Sequence, residues 1–135
     1  MKECVLCRIA EGSEAALIVH RTEQSVCFLP LRMEAPGHTV VATIAHFSDM
    51  YDVPATDLGD LTLTVQVVAR RYRLALGATG FNLLHASGPD AQQSVQHLHV
   101  HVVPRWPKDG LDTWPTLPQM ELAREREFER LRAAF

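Results

Sequence analysis

Basic charge is not in excess in this chain of 135 residues: 13 Lys and Arg stand against 16 Asp and Glu, for a formal charge of −3 and a pI near 6.1. That balance gives no reason to expect a nucleic-acid partner. No apolar run approaches the roughly 20 residues that span a bilayer, so no membrane partner is expected either. The first residues, MKECVLCRIAEG, lack an apolar h-region and a small-residue cleavage site, and a cytoplasmic location is expected. Repeats, linkers and low-complexity tracts are missing. Three cysteines are too few, and odd in number, for a disulfide scaffold; in a reducing compartment Cys4 and Cys7, three apart, point to metal or redox chemistry. What remains is the composition of an ordinary globular domain, 47% hydrophobic and 21% charged.

Apolar patterning divides the chain into short elements. Residues 4–11 suit a short helix or turn closed by Gly12. ALIVHRT at 16–22 and SVCFLPL at 25–31 read as a β-hairpin, and HTVVATI at 38–44, after the Pro36-Gly37 turn, reads as a third strand. A long helix is expected from Pro54 to Gly77, with an apolar stripe of Leu58, Leu61, Val65, Val68, Tyr72 and Leu76. Arg70, Arg71 and Arg73 suit its C-terminal dipole. A strand at 80–86, a polar loop at 87–94 and a strand from His97 to Val103, stopped by Pro104, complete the sheet. The proline- and tryptophan-rich stretch beyond reads as irregular, and residues 119–134 as a charged helix. The fold class is therefore α+β: a single domain with an antiparallel sheet of about five strands, one long helix and a C-terminal helix. Residues 1–107 would form its body, and 108–135 a strap and helix of the same domain.

Histidine carries the chemistry. The run His97-Leu98-His99-Val100-His101-Val102-Val103, taken as a strand, puts three imidazoles on one face, spaced roughly 7 Å apart along it, and apolar residues on the other. Such a row suits either a catalytic zinc site with a bound water or nucleophilic catalysis by an imidazole; a merely solvated face would favour Thr, Lys or Glu. Local sequence leaves the first two open. The Cys4-x-x-Cys7 pair alone is open between metal, redox chemistry and coincidence, with redox the least favoured. Cys27 reads as a buried small hydrophobe, and His20, His38 and His85 as satisfied structural histidines.

The segment QQSVQHLHVHVVPR, Gln92 to Arg105, resembles the signature of the histidine triad (HIT) family of nucleotide hydrolases and transferases. CVLCRI at 4–9, FLPLRMEAPGHTVV at 28–41, IAHF at 44–47 and GFNLLHASG at 80–88 follow in that family's order, extending the likeness over roughly residues 4–105. The resemblance implies a HIT-like domain in which His99 attacks the α-phosphorus of a nucleotide. The backbone carbonyl of His97 would hold the nucleophile's Nδ1–H, and His101 would contact the phosphate. Gln93 and Ser94 would hydrogen-bond phosphate oxygens and the leaving group. It also implies a nucleoside pocket built from Val5, Leu6, Ile9, Phe28, Leu29 and Leu31, although each position suits an ordinary core equally well. Zinc-bearing relatives of the bacterial type imply a structural zinc ion on Cys4, Cys7, His46 and His97, its four protein ligands leaving no place for an activated water. A homodimer is implied too, with the segment from Trp106 to Pro118 either reaching the partner or strapping its own subunit.

Three positions depart from the family's pattern. Pro30 stands where an Asp usually binds the ribose hydroxyls, Ala86 where an Asn is usual, and Gln92 where a Gly usually precedes the Gln-Ser pair. Asn82 and His85 are the nearby polar residues that could substitute for the lost contacts. The expected activity is hydrolysis of, or transfer from, a nucleoside phosphoramidate or dinucleoside polyphosphate, with a purine as the usual base. The alternatives are a nucleotide-binding module with little turnover and a zinc-water hydrolase using the triad as ligands.

Overall fold

Alternation of small apolar residues along three central strands lets one sheet hold a core on each face. The structure, a computed structural model, describes residues 3–113, 117 and 123–135. A short helix α1 (Val5–Glu11) precedes the hairpin of β1 (Leu17–Arg21) and β2 (Ser25–Leu29); β3 (Thr39–Thr43), the long helix α2 (Ala55–Leu76), β4 (Gly80–Leu84), β5 (His99–Arg105) and α3 (Arg124–Arg132) follow. The five strands pair antiparallel in the order β1-β2-β3-β5-β4. The expected α+β architecture is thus present.

The two faces follow from residue parity. Val26, Phe28, Val40 and Ala42 meet Leu6, Ile9 and Ala10 of α1, while Cys27, Val41, Leu98 and Val102 meet Leu61, Val65 and Val68 of α2. Ala42 pairs with His99 and Val40 with His101, so both of these rings stand on the α1 side. Thr64 and Ala69 join the buried stripe of α2, whereas Leu76 at its end is 42% exposed. Gly37 is required at the turn into β3. Its φ is +74°, and a Cβ there would sit 2.5 Å from Leu76 Cδ1, so the backbone can pass close to α2 and deliver His38.

Several boundaries differ from expectation. The catalytic strand candidate runs from His99 to Arg105, not from His97 to Val103, and Pro104 lies within it. β3 begins at Thr39, opposite Val102, so Pro104 has a paired neighbour on one side only, where a strand tolerates a missing amide hydrogen. His97 falls before the strand, and β4 ends at Leu84, not Ala86. The polar loop contains a 3-10 turn at Pro89–Ala91. The C-terminal helix spans Arg124–Arg132; residues 119–122 of the expected helix lie outside the described residues, as do 114–116 and 118 of the expected strap.

The described part of the strap folds onto its own chain. Arg105 donates to both oxygens of Asp109 (2.7 and 2.9 Å), to Asn82 Oδ1 (2.7 Å), to Thr113 Oγ1 (3.1 Å) and to the Leu111 carbonyl (2.5 Å). That guanidinium, with two backbone amides, holds the Asp109 carboxyl well below the usual carboxylate range.

Candidate functional site

His97 connects the two halves of the site. Its ring is fully buried, and Nε2 lies 2.7 Å from the Thr43 carbonyl, which can only accept; the proton therefore sits on Nε2. The bare Nδ1 then faces Cys4 Sγ at 3.4 Å and Cys7 Sγ at 3.5 Å, and His46 Nδ1 lies 3.3 Å from Cys7 Sγ. The four ligand atoms lie within 4.8 Å of one another, a cluster able to hold a metal ion. Burial, and then Cys4, push the Cys7 thiol up to about 11. A coordinated cation is what would turn this paired thiol into a thiolate near neutrality. The hydrogen bond from His97 Nε2 to Thr43 is the outer contact that orients a ligating imidazole.

The His97 backbone points the other way along the site. Its carbonyl accepts the Nδ1–H of His99 at 2.7 Å, so His99 is held as the Nδ1–H tautomer with Nε2 bare. Burial, which favours the neutral ring, lowers the His99 pKa against the opposing pull of that hydrogen bond, which raises it. The His99 carbonyl in turn accepts from His85 Nδ1 (2.9 Å), whose Nε2 is bonded to Ser87 Oγ (2.7 Å). His101 is the next ring on the face. The two centroids are 5.2 Å apart, closer than the roughly 7 Å expected from strand rise because the rings tilt edge to face. His101 Nδ1 is 2.9 Å from His38 Nε2, and Glu34 N donates to His38 Nδ1 at 3.0 Å.

The other expected positions divide. Ser94 is exposed in the loop leading to His97. Gln93 is committed to that loop: its Oε1 accepts from Gly88 N (2.8 Å), and its Nε2 donates to the carbonyls of Ser48 (2.6 Å) and Val95 (3.1 Å). Both amide hydrogens are thereby used, so a Gln93 contact to phosphate would require one of these bonds to open. Val5, Ile9, Phe28, Leu29 and Leu31, with Pro30, line a cleft of about 550 Å³. Leu6 is turned a third of the way round α1 and belongs to the core instead. Asn82 accepts from Arg105 and His85 serves the His99 carbonyl, so both offered substitutes are already engaged.

Cys27 is fully buried, with its thiol pushed up to about 12, and is an inert core residue. His38 and His85 have partners on both ring nitrogens. His20 was expected to be satisfied in the same way but is exposed on β1, the sheet's open edge. Sequence reading missed two contacts: the packing of His38 against His101, and Glu14, whose carboxylate lines the cleft while paired with Arg8 at 2.9 Å. The first joins residues 63 apart. The Pro-Gly turn ahead of His38 was the available signal.

Burial, His99 and His38 hold the His101 pKa at about 4, against about 6.5 for a free imidazole. Between those values the unfolded chain binds a proton that the folded one refuses, so stability rises with pH across this window and levels off above it. Urea midpoints measured from pH 4 to 8 should show that rise, and His101→Gln should flatten part of it.

Comparison with known proteins agrees with this geometry. The HIT domain family profile matches residues 11–108. An uncharacterised HIT-like protein of Saccharolobus solfataricus is 31% identical over 122 residues, covering 90% of this chain and 88% of the relative. The adenosine 5'-monophosphoramidase of Saccharomyces cerevisiae is 29% identical over 130 residues, 95% of this chain and 75% of that enzyme. Among solved structures, a zinc-bound histidine triad family protein from Mycobacterium smegmatis superposes with a TM-score of 0.79 at 33% identity, covering 98% of this chain and 93% of the other. No described helix is long and apolar enough to cross a membrane. With its triad, its Cys/His cluster and a profile match across most of its length, the chain belongs to the HIT domain family.

Proposed function

We propose that this protein is a nucleotide hydrolase or nucleotidyl transferase that works through a covalent nucleotidyl-His99 intermediate. The observation that carries the reading is the His99 Nδ1–H bond to the His97 carbonyl, which leaves Nε2 with a free electron pair at neutral pH. That pair forms a bond to the α-phosphorus, and the bond from phosphorus to the leaving group breaks with its own pair. The leaving nitrogen or oxygen takes a proton from solvent. Water then bonds to phosphorus, the N–P bond breaks with its pair returning to Nε2, and the water's proton passes to solvent. In this reading His101 and the exposed Ser94 hydroxyl contact the phosphoryl oxygens as charge develops there. Gln93 holds the loop that presents Ser94.

The apolar cleft of Val5, Ile9, Phe28, Leu29 and Leu31 suits a nucleoside, with a purine best filling its volume of about 550 Å³. Pro30 offers no carboxylate to the ribose, and that absence favours the second reading, a nucleotide sensor with little turnover. For the leaving group, a cavity of about 400 Å³ on the far side of His101 includes Glu34 and Asp112 in its walls. Two carboxylates there disfavour a departing polyphosphate and favour an amine. The yeast relative's phosphoramidase name supports the same branch.

Zinc is the metal we assign to Cys4, Cys7, His46 and His97. Zinc–sulfur bonds near 2.3 Å and zinc–nitrogen bonds near 2.0 Å would place S and N roughly 3.6 Å apart in a tetrahedron; three of the four S···N separations are 3.3, 3.4 and 3.5 Å, and all four ligand atoms lie within 4.8 Å of one another. Cys4, Cys7, His46 and His97 would hold the ion as a brace between α1 and the segment leading into β5, with four protein ligands that would leave no open position. A homodimer is supported by the free edge of β4, where Phe81 and Leu83 are each 49% exposed. A cytoplasmic location accords with the free thiols.

Intact-mass measurement after brief exposure to adenosine phosphoramidate should reveal a nucleotidyl adduct, formed faster than with a dinucleoside polyphosphate. His99→Ala should show none and lose at least about a thousand-fold in rate. Tight nucleotide binding with no adduct at any time would favour the sensor reading. Metal analysis should find one zinc per chain, and its removal by chelation should lower both the melting temperature and activity; intact fold and rate without zinc would contradict the brace.

A further inference from the structure

Two histidines of one residue type, two positions apart on one strand, receive opposite instructions from their surroundings. A backbone amide can only donate, so the 3.0 Å contact from Glu34 N requires His38 Nδ1 to be bare. The His38 proton then sits on Nε2, where it faces His101 Nδ1 at 2.9 Å. An imidazole nitrogen that accepts cannot carry a hydrogen, so the His101 proton is on Nε2. A charged His38 would turn an Nδ1–H against the Glu34 amide, and a charged His101 would turn an Nδ1–H against His38. The contacts therefore describe two neutral rings. His38 is 4% exposed and its ring is tilted 53° to that of His101, so this donor is enclosed and directional. On His99 the partner is a carbonyl, and the proton is on Nδ1. The site thus sets a bare Nε2 beside an Nε2–H.

We propose that His38 is a positioning residue that fixes His101 as the Nε2–H tautomer, making His101 a neutral hydrogen-bond donor to the phosphoryl group and not the proton donor to the leaving group. Proton counting carries the second half. For His101 to give up its Nε2 hydrogen, its Nδ1 would have to take the His38 hydrogen, leaving His38 as an imidazolate. The Glu34 amide lends a hydrogen bond to His38 Nδ1 but cannot surrender a proton to it. The relay therefore ends at a backbone amide, and the leaving group draws its proton from solvent. A donor fixed in advance costs no reorganisation when charge builds on phosphorus. This inference rests on the nucleotidyl-transfer reading for its catalytic half, while the tautomer is an attribute of the resting protein.

Nitrogen-15 NMR of the histidine rings in the zinc-loaded protein reads the tautomer directly, without substrate. The wild type should show His101 as a single Nε2–H form. In His38→Leu, which cannot donate, the His101 signals should move toward a tautomer average, and kcat should fall about ten- to a hundred-fold with KM changed less than about twofold. In His38→Gln, whose amide N–H can donate to Nδ1, both the tautomer and most of kcat should return. Zinc content and urea midpoint report whether each variant folds. An Nδ1–H form of His101 in the wild type overturns the proposal whatever the variants do. So does an unchanged kcat in a folded His38→Leu, or a folded His38→Gln no better than His38→Leu. A wild type with the expected tautomer but no turnover of any nucleotide would overturn the functional reading and the catalytic role together, leaving the tautomer assignment standing.

Discussion

One hydrogen bond, from the His99 ring to the carbonyl of His97, decides what this site can do. Without it the two nitrogens of His99 would share a proton, and a free pair would face the substrate only part of the time. The residues around that carbonyl are held on both sides. The His97 ring is anchored to Thr43 on one side and to the Cys4 and Cys7 thiols on the other. Leu98, the next residue, is buried against α2, and its amide donates to the Phe47 carbonyl at 2.7 Å. His97 thus uses its side chain to join the helix that bounds the apolar cleft, and its backbone to aim the neighbouring imidazole.

Much of this was legible because it is local. Alternation of His with Leu and Val is a period-two signal, and it correctly divided Leu98 and Val102 from His99 and His101. The stripe along α2 from Leu61 to Val68 was equally plain, since tertiary packing only reinforced a helical period. The Cys/His cluster could be assembled only through the family resemblance, because Cys4, Cys7, His46 and His97 share no local pattern. Other features depended on contacts that no local pattern encodes. Pro104 is tolerated in β5 because β3 begins only at Thr39, opposite Val102, which is a property of the pairing partner. Gln93 reads as a phosphate ligand until the carbonyls of Ser48 and Val95 are seen to claim its amide. Leu6 and Val5 are neighbours with the same character, and only the seating of α1 sends one to the core and the other to the cleft. The pairing of His38 with His101 depends on a turn that Gly37 alone permits.

The departures from the family's pattern fall where the substrate would lie and leave the frame intact. Gln92 holds the left-handed conformation, φ +65°, that a glycine would take without strain. Keeping that conformation despite the cost implies that the loop carrying Gln93 and Ser94 has one workable path. Pro30 and Ala86 remove polar contacts without disturbing a hydrogen bond of the described core. The strap, gathered by Arg105, closes the cavity beside His101 with Leu111, Asp112 and Thr113 from the same chain. The proposed nucleophile thus stands on a central strand of the sheet, and the departures from the family's pattern fall on its loops and edges.

The stereochemical course at phosphorus tests the central claim most directly. A substrate made chiral at the α-phosphorus with sulfur can be hydrolysed in isotopically labelled water and the configuration of the product determined. Attack by His99 followed by attack of water amounts to two inversions, so the account predicts net retention. Net inversion would mean that water displaces the leaving group in one step and that His99 never bonds to phosphorus.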